Sequence, residues 1–145
     1  MVRTVKFKKE HMAGLDEFVF GCSVKDTATT VQLQALEERP HSYTVLKGDK
    51  VLGCAGVTER WPGRAEAWAI LSKDLKADLI DMTTEVRNFL DEVPICRVEA
   101  VVDADFKAGI RWVKLLDFKL EAPKLRAYGR DGKDCMMFSR VRPHD

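Results

Sequence analysis

The six residues Ser72-Lys73-Asp74-Leu75-Lys76-Ala77 have types and a position that could do chemistry. They follow a short apolar run at 65–71 and open a helical pattern that continues to about residue 91. The first amide N–H groups of a helix have no partner inside it, so a helix starting at a strand end is a natural anion site. Lys73 and Lys76 would add positive charge, whereas Asp74 would repel a phosphate. No glycine is present to let oxygen atoms approach the amides closely. Two readings therefore stand side by side. The turn holds an anion, or it is a plain helix start with Ser72 as N-cap and Asp74 supporting the dipole.

The other reactive residue types are scattered. Cys22, Cys54, Cys96 and Cys135 form no CxxC pair, which argues against a zinc site, and no metal ligand set is expected. Three of them lie in apolar stretches and read as buried free thiols of a reduced compartment. His11, His41 and His144 have no common spacing, and His11 reads as part of a helix start. Trp61, beside Pro62-Gly63, is an aromatic on a loop rim that would either anchor a partner or pack under its own loop.

The elements that must position these residues are read from periodicity. Val2, Val5 and Phe7 alternate with basic residues, predicting a strand over 2–8. Helical spacing predicts a helix over 10–20 and a second over 27–38, stopped by Pro40. Residues 42–46 and 50–57 flank Gly48-Asp49 as a hairpin. A turn at Pro62-Gly63 leads to a strand over 65–71, then a long helix over 73–91 with Leu75, Leu79, Met82, Val86, Phe89 and Leu90 on one face. A strand over 96–102, a helix over 104–116 and strands over 118–121 and 134–142 complete the chain. The charges along helix 73–91 read as a solvated face with no function. An antiparallel meander followed by a βαβ unit predicts an α/β fold: one mixed, mostly antiparallel central sheet of about seven strands, with helices on both faces.

Composition limits the function classes. The chain has 145 residues, which suits one domain over 1–145. It is 46% hydrophobic and 32% charged, with 24 basic and 23 acidic residues and a net charge of +1. That balance argues against nucleic-acid or anionic-membrane partners, which call for a basic surplus. No apolar run reaches the ~20 residues of a membrane span, and the N-terminus alternates like a strand rather than a signal peptide.

The stretch RVEAVVDADFKAGIRWVKLLDFKLE, residues 97–121, carries a resemblance. It is similar to the C-terminal motif of the GNAT N-acetyltransferases, a strand, a helix reading roughly A-I-R-x-Y/L-x-K-L-G-F and a further strand. Ile110, Arg111, Lys114, Leu116 and Phe118 match. The predicted element order also resembles that family over nearly the whole chain. The final segment, AYGRDGKDCMMFSRVR, looks like GNAT-like proteins of short-tailed bacteriophages, some known only as internal virion or accessory proteins.

The resemblance implies a function. Ser72, Lys73, Asp74, Leu75, Lys76 and Ala77 fall on the family's Q/R-x-x-G-x-G/A loop, which cradles the pyrophosphate of acetyl-CoA, the co-substrate. This chain lacks both loop glycines. The backbone N–H of Ile70 or Leu71 would hold the acetyl carbonyl. Glu66 would be the general base, with a solvent-facing strand-edge charge as its alternative; Glu59 is second. The family's tyrosine acid falls on Val113, which cannot donate a proton. Its glycine before the final Phe is Asp117, and its usual Asn is Phe106. Tyr128 could replace the missing acid. The acceptor would be a small-molecule amine or a protein amino group. The other reading is a non-catalytic GNAT-fold phage protein, a virion component or a binder of a host protein. The implied location is cytoplasmic, or the virion. The late strands offer edges for a homodimer.

Overall fold

The computed structural model describes residues 2–13, 15, 17–20 and 30–142. The elements are β1 (Val2–Lys6), a 3-10 turn (Lys9–Met12), β2 (Glu17–Phe20), α1 (Thr30–Glu38), β3 (Ser42–Lys47), β4 (Lys50–Trp61) and β5 (Arg64–Leu71). They continue as α2 (Asp78–Glu92), β6 (Arg97–Asp103), α3 (Lys107–Leu115), β7 (Lys119–Leu125), a 3-10 turn (Arg130–Gly132) and β8 (Cys135–Val141). Seven strands lie in the order β1-β3-β4-β5-β6-β8-β7, and the short β2 pairs separately with β5. Among the described residues only β5 and β6 run parallel, so the sheet is mixed and mostly antiparallel, as expected.

Strand alternation sorts β5 onto two faces. Ala65, Ala67, Ala69 and Leu71 join the main core with Met82, Val86 and Leu90 of α2 and Trp112 and Val113 of α3. Trp68 and Ile70 point the other way and pack with Phe7 and Cys54, against which Met12, Leu15 and Leu36 of the α1 side lie. Helices thus cover both faces. The Trp112 indole N–H donates to Thr83 Oγ1 at 2.8 Å, which ties α3 to α2. The small alanines of β5 let α2 and α3 sit close on this face. On the opposite face Gly56 of β4 makes room for the His41 carbonyl and the Trp68 indole, since a Cβ there would lie 2.5 Å from His41 O and 2.9 Å from Trp68 Nε1.

Two expectations are corrected. Residues 10–20 do not form a helix. They split into the 3-10 turn and β2, because Glu17-Phe18-Val19-Phe20 is rich in strand formers and an edge of β5 is open to pair with it. The long helix starts at Asp78 rather than residue 73. Lys76 has φ of 48°, which a right-handed helix does not hold, and Leu75 is 6% exposed and packed into the core ahead of the helix. Ser72 is therefore not an N-cap; that position is Ala77, which makes no side-chain cap. The helix expected over 27–38 is described from Thr30, its first residues lying outside the described part. The remaining strands and helices fall within a few residues of expectation. Among the cysteines, Cys54 and Cys135 are buried and Cys96 is half-buried, while Cys22 lies outside the described residues.

Candidate functional site

A fork between β5 and β6 is the feature that builds the site. β4 pairs with β5 from Gly53–Leu71 to Trp61–Arg64. On its other edge β5 pairs with β6 at Arg64–Arg97, Ala65–Val98 and Glu66–Glu99. Among the described residues the β5–β6 pairing ends there. Farther along that same edge β5 pairs with β2, Glu17 opposite Leu71 and Phe18 opposite Ile70. β2 also contacts β6 and α3, so it lies inside the fork.

The direction of the β5 amides follows from one bond. The Ser72 N–H donates to Leu52 O on β4 at 2.9 Å. With a two-residue period, the amide of Ile70 also turns to β4, and those of Leu71 and Ala69 turn to the fork. Of the two amides expected to hold an acyl oxygen, that of Leu71 turns to the fork and that of Ile70 turns to the β4 ladder.

Beyond Leu71 the chain makes two turns before α2. The Asp74 N–H donates to Ser72 Oγ at 3.3 Å, and the Asp78 N–H to Leu75 O at 2.8 Å. Lysines surround this turn. Lys47 and Lys50, from the β3–β4 hairpin, reach Asp78 at 2.7 and 3.5 Å, and Lys50 also donates to Asp74 O at 3.4 Å. The hydrogen bond from Lys47 holds the Asp78 carboxyl below its ordinary value and raises the Lys47 ammonium. Lys73 and Lys76 are exposed. Between the turn and α3 runs a groove of about 240 Å³, with Ser72, Lys73, Lys76 and Leu79 on one wall and Phe106, Gly109 and Trp112 on the other.

The proposed acid–base residues do not all meet. Glu66 lies on the Trp68 and Ile70 face, 2.5 Å from the Arg60 guanidinium. Tyr128 is exposed on the loop after β7 but lies in the field of Glu66, Glu99 and Arg64. Burial first, then the Glu66 and Glu99 carboxylates, push its hydroxyl up. Glu59 is directed elsewhere. It pairs with Ala65, on the opposite face from Glu66, and its carboxylate accepts the Gly63 N–H at 3.0 Å.

Sequence reasoning missed a charge ladder beside Glu66. Glu99, 3% exposed, accepts from Arg64 Nε and Nη2 at 2.9 and 2.8 Å and from Arg97 Nε at 2.7 Å. Arg97 also grips Glu121 at 2.7 and 3.0 Å, and the Ser139 hydroxyl donates to the same carboxylate. Hydrogen bonds, chiefly from Arg64, hold Glu99 below the usual carboxylate range. Those from Arg97 and then Ser139 bring Glu121 down to about 2. The signal was present as Arg64-Ala65-Glu66 and Arg97-Val98-Glu99, the same Arg-x-Glu spacing on both strands of the parallel pair. In register, like charges stand opposite one another, and the diagonal Arg64–Glu99 pair resolves the repulsion.

On the same face a buried chain of polar groups runs from Cys54. Its sulfur lies 3.4 Å from Thr44 Oγ1, which lies 2.7 Å from His11 Nδ1. His11 Nδ1 also accepts the Lys8 N–H at 3.2 Å. Burial pushes the Cys54 thiol up to about 12, which makes it an inert core thiol.

No family model matches the sequence, and no curated protein matches it either. Solved structures do match. An N-acetyltransferase from Staphylococcus aureus Mu50 superimposes with a TM-score of 0.78 at 8% identity, covering 97% of each chain. An acetyltransferase of the GNAT family from Streptococcus pneumoniae gives 0.69 at 10% identity, over 99% of this chain and 100% of that one. A Bacillus subtilis acetyltransferase in complex with CoA gives 0.69 at 12% identity, over 98% of each. Strand order, a parallel pair that forks, and superposition over nearly the full length agree: this chain has the GNAT fold.

Proposed function

We propose that this chain binds acetyl-CoA along the β5 edge and the groove against α3, and transfers the acetyl group to a small-molecule amine or a protein amino group. The observation that carries the reading is the alignment of fork and groove. The β5 edge at Ala69 and Leu71 runs directly into the lysine-flanked turn at 72–77.

The residues present fit the group. Lys73 and Lys76 supply charge for phosphates, and the carboxylate of Asp78 is already engaged by Lys47 and Lys50. Leu75, standing where a loop glycine is expected, turns its side chain into the core, so the backbone of the turn is not covered by it. Acetyl-CoA, when bound, supplies an activated thioester. The Leu71 N–H faces the position of the acyl oxygen and would stabilise negative charge there. Glu66, steadied by Arg60, would take the proton of the attacking amine directly or through water. Val113 has no hydroxyl, so it supplies no acid from α3; Tyr128, whose hydroxyl feels the Glu66 carboxylate, would be the proton donor in this scheme.

Calorimetric titration with acetyl-CoA and CoA tests the reading, followed by mass-spectrometric screening of amine acceptors. Micromolar binding supports it, and no heat at millimolar CoA, both in this protein and in a folded variant whose β2 cannot pair with β5, overturns it. One observation favours a second reading. β2 fills the fork, as it would in a GNAT fold that has lost the reaction and serves as a phage virion component or a binder of a host protein.

A further inference from the structure

We infer that β2 is a built-in competitor for the cofactor: residues 17–20 close the fork by pairing with β5, and acyl-CoA binding displaces them. The inference rests on the cofactor reading above and adds its regulation.

The argument begins with the edge of β5. Beyond Glu66 that edge presents the groups of the odd-numbered residues, and β2 pairs with the last two of these on β5, Ala69 and Leu71. The CoA arm is an extended chain with two amides, able to pair with a strand edge as a peptide does. A CoA whose phosphates lie at the turn 72–77 must lead its arm back along 69–71 to reach the fork. Arm and β2 therefore compete for the same amides and carbonyls, and both cannot be seated.

The pairing is built to be exchanged. β2 has four residues and three register pairs, and a register shift interrupts it between Phe18 and Phe20. By contrast β4 holds the opposite edge of β5 through eight pairs. A short, interrupted strand is the sort of element that opens without unfolding the domain. Its N-terminal flank stays anchored on the other face, since Met12 and Leu15 pack against the cluster of Phe7, Trp68 and Ile70. Displacement of β2 would leave those anchors in place and move only the segment in the fork. Apparent affinity for CoA is then the intrinsic affinity reduced by the fraction of molecules with the fork open.

The test uses a reversible staple. Glu17 and Leu71 are direct partners in an antiparallel pair, a separation a disulfide can bridge. In the Glu17→Cys/Leu71→Cys variant, CoA binding should be lost when the bond is closed and return on reduction of the same sample. In the unmodified protein, CoA should speed amide hydrogen exchange at residues 17–20. Equal CoA affinity of the closed and reduced forms, or unchanged exchange at 17–20 in protein saturated with CoA, overturns the gate and leaves the cofactor reading intact. A second variant, Glu17→Pro/Phe20→Pro, removes the ability of β2 to donate to β5. If the unmodified protein shows no CoA binding but this folded variant binds, the gate is supported. If neither binds, the cofactor reading fails and the gate fails with it.

Discussion

Arg64 grips the buried Glu99 across the parallel β5–β6 pair with two hydrogen bonds, 2.9 and 2.8 Å long. The pair sits where the two strands are still joined, immediately before they part. It clamps the base of the fork. A carboxylate this buried is stable only while its cations remain, and here Arg97 supplies the second.

Removing the carboxylate should therefore be costly. Glu99→Ala leaves Arg64 and Arg97 with a buried partner missing and should destabilise the fold by about 3 kcal/mol. Thermal unfolding followed by circular dichroism would measure it. A loss below about 1 kcal/mol would show the ladder to be ordinary surface charge.

The ladder also predicts acid sensitivity. The folded carboxyl of Glu121 titrates near 2, below its ordinary 4.5, and Glu99 is shifted in the same direction. The unfolded chain therefore binds more protons between these values. The stability from Glu121 is fully present above about 4.5 and is lost as pH falls towards 2, and that from Glu99 is likewise lost on acidification. Glu121→Gln should flatten the fall in unfolding free energy over that window. An unchanged slope would remove Glu121 from the account.

Glu66 and Glu59 should separate in kinetics. Glu66→Gln should lower the acetyl-transfer rate by about 100-fold while leaving CoA affinity unchanged. Glu59→Gln should leave the rate alone, because that carboxylate fastens the Gly63 turn on the other face. Steady-state assays with an acceptor found by screening would decide, and equal losses would reject Glu66 as the base.

The turn at 72–77 yields a contrast with its sequence reading. An N-cap serine lost to alanine costs about 1 kcal/mol. Ser72 instead accepts a long 3.3 Å bond from Asp74, so Ser72→Ala should stay within about 0.5 kcal/mol in chemical denaturation. Lys73→Glu should weaken CoA binding, as it adds a negative charge on the groove wall.

Close packing gives a further check. Gly56→Ala would press a methyl against His41 O at 2.5 Å. That carbonyl is held in place by the Val57 N–H at 2.9 Å, so the neighbour has little room to yield. A loss of about 1–3 kcal/mol is expected in thermal melts.

Local pattern and chain order were enough for the sheet, the order of its later elements and most of the apolar face of α2, where only Leu79 of the expected face is exposed, because alternation and helical spacing record burial directly in residue type. Met82, Val86 and Leu90 are buried as their spacing implies, and Trp68 and Ile70 share one face while Ala67 and Ala69 share the other. The candidate site was only half legible. The turn at 72–77 could be located from the change of period at Leu71. Its conformation depended on Leu75 reaching the core and on Lys76 at positive φ, which no local periodicity encodes. Residues 17–20 read as helix by spacing and fold as a strand, because the open edge of β5 exists only once β6 has diverged from it. The Arg64–Glu99 clamp likewise joins residues 35 apart in sequence, and it required the parallel register to bring them together. Burial preference is written residue by residue along the chain. Which edge is free, which amide faces the fork and which charges meet are relations between strands, and they arise only when the sheet assembles.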